Sequence, residues 1–394
     1  MRVAIFTDND FGKVTGVTTT LRAVLAYAPD DIRPRIYTAS DSAESYPEYF
    51  AVASRGIGLP WYREMKVYLP ALRRLRRELE RDAVDLIHIT TPGPMGLAAR
   101  HLASALNIPV VGSYHTHLGD YARTLSGSRR IGDALEAYVR WLYADCERLL
   151  VPSEATRTLL VARGYRASSL GIWSRGIDTR RFRPGLRSSA LREAWNVSYG
   201  RPAILYAGRL SREKGLDVVP RVHEALAWRG LPHRFVFAGD GPMREELSKI
   251  SRDAVFTGAL PHDDMAVAMA SADLFFFPSA TDSLGNVVLE AQASGLPVLV
   301  TDKGGPRENL LRGVSGHVLP AGDADGFAAG LVDLLTDPDR RRRMGAAARS
   351  YALTRGWPRA LDELYRAWRE AVRGHDATER PELVTPAEKH DDAA

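Results

Sequence analysis

The sequence is poor in the features that define several large protein classes. Its 394 residues include a single cysteine, Cys146, so an internal disulfide framework and Cys-rich zinc spacings are excluded. No apolar run approaches the roughly 18 residues that a membrane-spanning helix requires. Neither a GxGxxG fingerprint nor a GxxxxGK[ST] loop occurs, which removes the expected motifs of simple dinucleotide dehydrogenases and P-loop NTPases. A strong charge imbalance is missing too. Lys and Arg number 53 against 48 Asp and Glu, a formal net charge of +5, too small over this length to argue for nucleic acid.

What is there is an ordinary core-forming composition, 45% hydrophobic and 26% charged. At about 100–200 residues per domain, the length favours two domains. The opening MRVAIFTDND has a short apolar run broken by Asp8 and Asp10, so it reads as a buried first strand rather than a secretion leader, and a cytoplasmic location is expected.

Short β-branched runs alternate with longer amphipathic stretches, the pattern of βα units on a parallel sheet. It occurs twice. In the first half strands are expected at 2–7, 34–38, 84–89, 109–114 and 148–151, with helices near 16–28, 69–81, 95–106, 129–144 and 153–163. In the second, strands fall near 203–207, 234–238, 254–257, 273–277 and 297–300, with helices near 215–229, 242–251, 262–270, 286–294 and 324–335. WSRGIDTRRFRPG (173–185) lacks both periodicities and reads as the interdomain connection. The expectation is an α/β chain of two Rossmann-like, doubly wound domains, 1–176 and 177–356. An amphipathic helix follows at 357–373 and a disordered acidic tail at 374–394.

In open α/β sheets, ligands bind beyond the carboxyl ends of the strands. After the first expected strand, Gly16 opens a helix and lets backbone approach an anion or a polar sugar. GRLSREKG places Arg209 and Lys214 after a strand and at a helix opening, so that two cations and a helix N-terminus converge on one anion, as a diphosphate demands. FVFAGDGPM ends a strand at Gly239, where a missing side chain admits a ligand or the facing domain. In PSATDSLGNVVLEAQASG, Asp282 lies in a polar loop, Gly285 frees the backbone, a helix starts near Asn286, and Glu290 sits where its carboxylate reaches back toward a ribose diol. His115, past a strand end in PVVGSYHTHLGD, faces the same cleft; His117 has no assigned role. The short acidic patterns DND (8–10) and DAD (323–325) match metal-dependent sugar transferases only at the level that acidic loops reach by chance.

Taken together, GRLSREKG, AGDGP, the carboxylate pair Asp282 and Glu290 and the following DKGGPREN resemble the retaining glycosyltransferases of family four, with the GT-B fold, over roughly residues 1–373. Asp282 stands where that family usually has Glu, as in branches similar to bacterial GDP-mannose-dependent α-mannosyltransferases and sulfoquinovosyl transferases. The resemblance implies Arg209 and Lys214 on the donor diphosphate and Glu290 on the ribose. It places Asp282 with the backbone of Gly285, Asn286 and Val287 on the transferred sugar and phosphates, Gly16 and Val17 on the diphosphate from the opposite domain, and His115 on the donor sugar. It further implies a nucleotide-diphosphate sugar donor, GDP-mannose favoured over a UDP-sugar, no cofactor or metal, and a hydroxyl of a lipid-linked or glycan acceptor.

Two rival readings keep the architecture without the reaction: a non-catalytic nucleotide-sugar-binding protein, and a nucleotide-sugar epimerase acting without an acceptor. A peripheral contact with anionic membrane also follows from residues 61–82, where Trp61, Tyr62 and Tyr68 accompany Arg73, Arg74, Arg76, Arg77 and Arg81. A solvated basic helix explains the same letters.

Overall fold

The computed structural model describes residues 1–9, 16–41, 43–54, 56–59, 62–115, 117–198 and 200–379. In the first half the strands are β1 (Arg2–Phe6), β2 (Arg33–Ser40), β3 (Glu44–Tyr46), β4 (Tyr49–Ala53), β5 (Gly56–Leu59), β6 (Tyr62–Tyr68), β7 (Leu86–Ile89), β8 (Val110–Ser113), β9 (Arg148–Val151) and β10 (Leu170–Ile172). The helices are α1 (Gly16–Ala26), α2 (Leu72–Arg81), α3 (Pro94–Leu106), α4 (Leu118–Ser126), α5 (Arg129–Leu142) and α6 (Glu154–Ala162). The second half contributes β11 (Ala203–Ala207), β12 (Arg234–Ala238), β13 (Val255–Gly258), β14 (Leu274–Phe277), β15 (Val298–Thr301) and β16 (Gly316–Leu319). Its helices are α7 (Ser189–Ala194), α8 (Val219–Trp228), α9 (Arg244–Ile250), α10 (His262–Ser271), α11 (Asn286–Ala293), α12 (Ala324–Thr336) and α13 (Pro338–Leu353), before the terminal α14 (Trp357–Glu379).

Among the described residues these strands make two main sheets. The first runs β10-β9-β8-β7-β1-β2-β4-β3 and the second β13-β12-β11-β14-β15-β16, parallel throughout except at the β3–β4 pair. Both reverse strand order beside their first strand, between β1 and β7 and between β11 and β14. These are the switch points at which loops diverge and leave a crevice. Strands such as AILYA and RFVFA are buried along their whole length, and apolar but for Arg234, because helices cover both faces.

Several elements differ from what periodicity predicts. Residues 62–68 form a strand in the β5–β6 hairpin, so the basic stretch is a hairpin arm followed by α2 rather than one continuous surface helix. The expected helix at 215–229 is broken at its start. Left-handed Gly215 and Pro220 confine 212–218 to two short 3₁₀ turns, and α8 begins only at Val219. At the other end, α14 runs past residue 373 to Glu379, with His375 Nε2 lying 3.2 Å from the Asn107 carbonyl. Residues 380–394, the rest of the expected tail, lie outside the described residues.

The chain crosses between the sheets twice, side by side. The Ile177 amide donates to the Arg355 carbonyl at 3.0 Å, and Ile177 bridges Gly356. After the second crossing α14 lies against the first sheet. Trp357, Leu361, Leu364 and Trp368 pack on Val3, Ile5, Leu86, Val111 and Leu150, while α2, α3, α5 and α6 cover the opposite face. The Tyr365 hydroxyl donates to the Val24 carbonyl at 2.9 Å, fixing α14 to α1. Arg349 of α13 ties the connection down by donating to the carbonyls of Thr179 (3.1 Å), Phe182 (2.8 Å) and Ala293 (2.6 Å). Cys146 is buried, and burial pushes its thiol up to about 12.

Candidate functional site

A cavity of about 540 Å³ lies where the carboxyl ends of the two sheets face each other. From the second sheet it is lined by Gly208, Arg209 and Lys214 after β11 and by Asp282, Gly285, Asn286 and Val287 after β14. Those two loops flank the switch point. His115, Pro152 and Arg175 complete it from the loops after β8, β9 and β10.

The loop carrying both cations is held by backbone contacts. Tyr206 donates its hydroxyl to the Arg209 carbonyl at 2.8 Å. Gly239 packs so tightly behind this loop that an added Cβ would come within 1.9 Å of the Gly208 carbonyl oxygen. Gly239 therefore supports the cavity wall and does not line it. Among the described residues the Arg209 side chain makes no hydrogen bond, and it is exposed to the cleft. Lys214 Nζ stands 3.0 Å from both carboxylate oxygens of Asp282, and Ser279 donates its hydroxyl to the same carboxylate. Burial raises the Glu213 pKa, but the Ser211 hydroxyl, its own amide and the charges of Arg209 and Lys214 outweigh this and hold the carboxyl below its usual range.

The helix N-terminus at the site belongs to α11. The sequence pattern assigned that part to the helix after Lys214, which the break at Gly215 moves out of reach. Gly285 caps α11 without a side chain, so the first amides carry no side-chain acceptor. Asn286 Oδ1 is buried without a hydrogen-bond partner among the described residues. Gly16 closes in from the other domain. A Cβ built on it would lie 3.4 Å from Arg175 Nη1 and 3.8 Å from Asn286 Nδ2. Val17, next on α1, is half-buried against the first domain's core.

His115 is held from behind. Arg175 Nη2 approaches its Nδ1 at 3.2 Å. A guanidinium only donates, so Nδ1 accepts and the ring proton sits on Nε2. Burial first, then the Arg175 charge and His88, hold the imidazole well below its ordinary pKa, leaving it neutral. Nothing in WSRGIDTRRFRPG singles Arg175 out from Arg180, Arg181 and Arg183; only its position after β10 brings it to the cavity.

Glu290 lies on α11 but outside the cavity lining. Its Oε1 stands 3.6 Å from His262 Nε2, and Arg181 Nη1 donates to His262 Nδ1 at 3.2 Å. The Glu290 carboxylate raises the His262 pKa. The acidic patterns serve structure. The Asp8 carboxylate accepts from the Thr91 hydroxyl (2.6 Å) and from the amides of Gly93 (3.1 Å) and Met95 (2.8 Å) at the start of α3. Asp323 caps α12 by accepting from the Gly326 amide at 2.9 Å; Asp10 lies outside the described residues. His117 precedes α4 with Nδ1 buried and unpartnered among the described residues.

On this side of the cleft the domains touch. Glu308 accepts from the amides of Glu154 (2.8 Å) and Ala155 (2.7 Å) at the start of α6, and the Ser153 hydroxyl donates to the Ser283 carbonyl at 3.0 Å.

The comparisons with known proteins agree with this layout. Residues 14–181 match the family described as Glycosyltransferase Family 4, and residues 188–351 match Glycosyl transferases group 1. The chain is 33% identical over 388 residues to a GDP-mannose-dependent alpha-mannosyltransferase of Mycobacterium tuberculosis, covering 96% of this chain and 99% of that one. It is 32% identical over 375 residues to the sulfoquinovosyl transferase SQD2 of Arabidopsis thaliana, covering 92% and 72%. Among solved structures, sucrose-phosphate synthase of Thermosynechococcus elongatus superposes with a TM-score of 0.74 at 19% identity, over 95% of this chain and 99% of that one. Anabaena HepE in complex with UDP superposes with 0.73 at 17%, over 94% and 100%. Two facing parallel-sheet domains, a cation-bearing loop and a helix N-terminus at one switch point, and these matches over nearly its whole length place the chain in glycosyltransferase family four, as an enzyme of the GT-B fold.

Proposed function

We propose that this enzyme transfers a hexose, mannose favoured, from a nucleoside-diphosphate sugar, GDP-mannose favoured, to a hydroxyl of a lipid-linked or glycan acceptor, with retention of anomeric configuration. The observation that carries the reading is the convergence of Arg209, Lys214 and the uncapped start of α11 on one interdomain cavity that His115 closes from the other side. Departure of the sugar leaves negative charge on the diphosphate. Cations and amides already aimed at that position stabilise it without reorganisation, and in this reading they supply what a metal ion supplies elsewhere. The anomeric C–O bond to the β-phosphate breaks, the acceptor oxygen bonds to the same face of the sugar, and the acceptor proton passes to the departing phosphate oxygen.

In this reading Gly16 and Val17 meet the diphosphate from the first domain, while Gly285, Asn286 and Val287 present backbone to phosphates and sugar. Asp282 exchanges part of its contact with Lys214 for sugar hydroxyls. The neutral His115 donates Nε2–H to a sugar hydroxyl. Gly239 acts one step removed, by seating Gly208. The M. tuberculosis relative's name supports GDP-mannose. The test is a panel of GDP- and UDP-sugars followed by nucleoside diphosphate release and product mass. Mannosyl product from GDP-mannose is expected. Release of no nucleoside diphosphate from any donor rejects transfer, and a changed sugar nucleotide without acceptor addition points to epimerisation.

Glu290 takes the ribose in this proposal, its carboxylate already oriented by His262. Glu290→Gln is expected to weaken binding of the free nucleoside diphosphate by about tenfold, the loss of a charged hydrogen bond, with a smaller effect on kcat. Calorimetry returning wild-type affinity rejects the ribose role.

Among the described residues no helix is long and apolar enough to cross a membrane. On α2, Leu75, Glu78 and Leu79 face inward while Arg73, Arg74, Arg76 and Arg77 are exposed, a surface that suits anionic headgroups near a lipid acceptor. Co-sedimentation with vesicles containing anionic phospholipid, and not with neutral ones, is the expected result; equal recovery with both removes the contact.

A further inference from the structure

A charge taken out of water is costly unless it is paired. Arg175 breaks that pattern. It is 8% exposed, yet among the described residues no carboxylate pairs with it. Its Nη1 donates to the Gly16 carbonyl and, at 2.7 Å, to the Thr20 hydroxyl, and its Nη2 donates to His115 Nδ1 at 3.2 Å. All three acceptors are neutral. A guanidinium has five N–H groups, so Nε–H and one Nη2–H have no partner among the described residues. Burial lowers the group only to about 10, so it stays charged at neutral pH.

The position of this unneutralised charge is informative. Arg175 lines the same cavity as Arg209 and Lys214. One point, a Cβ built on Gly16, lies 3.4 Å from Arg175 Nη1 and 3.8 Å from Asn286 Nδ2. The guanidinium and the Asn286 side chain at the start of α11 therefore flank the same point beside Gly16. Arg175 faces a cavity that already holds two other cations, a space suited to an anion.

We propose that Arg175 is a further donor-binding residue, a third cation for the diphosphate supplied from the first-domain side, whose counter-charge is the ligand itself. The proposal rests on the donor-site reading above. It gives Arg175 two simultaneous contacts, the phosphate through its free N–H groups and His115 through Nη2, so the anion and the histidine are held in fixed relation.

Calorimetric titration of the full chain with inorganic pyrophosphate, GDP and guanosine, for wild type, Arg175→Met and Arg175→Lys at two salt concentrations, tests this. Arg175→Met is expected to bind pyrophosphate and GDP about 10- to 100-fold more weakly, the loss of a charge-assisted contact, with guanosine unchanged and a shallower salt dependence. Arg175→Lys, which keeps the charge, is expected to recover part of the loss. Arg175→Met binding both phosphate probes like wild type overturns the proposal, and so does equal weakening for guanosine, which marks a purely structural role. Should Arg175→Met fail to fold, Arg175→Lys decides through its salt dependence, a wild-type slope supporting the proposal and a slope reduced to that of guanosine overturning it. A wild-type protein that binds neither pyrophosphate nor any nucleoside diphosphate overturns the donor-site reading, and this inference with it.

Discussion

Lys214→Ala is expected to lower kcat by about 10²–10³, the usual consequence of losing one preorganised contact to a developing oxyanion. Lys214 and Arg209 share the loop after β11, but their surroundings differ. Arg209 makes no hydrogen bond from its side chain among the described residues, whereas Lys214 is held 3.0 Å from both oxygens of Asp282. That pairing keeps the ammonium inside the cavity before any donor arrives, so it needs little movement to meet the leaving phosphate. Because the interaction strengthens as charge develops, the loss falls on kcat more than on KM. Asp282→Asn separates the two roles of the pair. It leaves the lysine charged but less tightly positioned, so a smaller fall in kcat is expected than for Lys214→Ala. Steady-state kinetics with unchanged kcat in Lys214→Ala would remove the lysine from catalysis.

Trp368→Ala is expected to destabilise the protein by about 3–5 kcal/mol, the range for truncating a large, fully buried aromatic. Trp368 is fully buried among Val3, Ile5, Leu86, Val111 and Leu150 of the first sheet. Its ring meets His88 edge-on at 5.5 Å and Tyr365 at 5.5 Å. The strands beneath it cannot collapse into the vacated volume without losing register with their neighbours. Denaturant unfolding followed by fluorescence measures the loss; a change under 1 kcal/mol (about fivefold in the folding equilibrium) would show that α14 only rests on the first domain.

Much of this was legible in the chain itself. The apolar strands and amphipathic helices place the loops after β11 and β14 close to where the structure has them, and GRLSREKG and Asp282 fall in one cavity because strand order brings their two strands together. What periodicity does not report is backbone direction at a loop. The break at Gly215 transfers the helix N-terminus from α8 to α11, and spacing along the sequence cannot reveal that. Residues 44–68 were equally opaque, since short antiparallel pairs such as β3–β4 and β5–β6 have too few residues to establish an alternation. Strands β10 (LGI) and β16 (GHVL) lack the run of β-branched residues that marks the other parallel strands. Arg175 was missed because its partners, Gly16, Thr20 and His115, come from distant parts of the chain, and only folding reveals that no carboxylate is among them. The spacing along α11 aims Glu290 at the cleft mouth, but its carboxylate meets His262, on a different helix whose angle no pattern predicts.

The double crossing at Ile177 and Gly356 has a consequence for how the molecule is made. The last helix covers a face of the first sheet, so the second lobe is topologically an insert within the first. A nascent chain that has emerged through residue 176 already holds every strand of that sheet, yet Val3, Ile5, Leu86, Val111 and Leu150 keep part of their cover missing until α14 leaves the ribosome. During that interval the early lobe has an exposed apolar face of the sort that chaperones bind and aggregates grow from. A recombinant fragment ending before Trp357 would carry that face permanently.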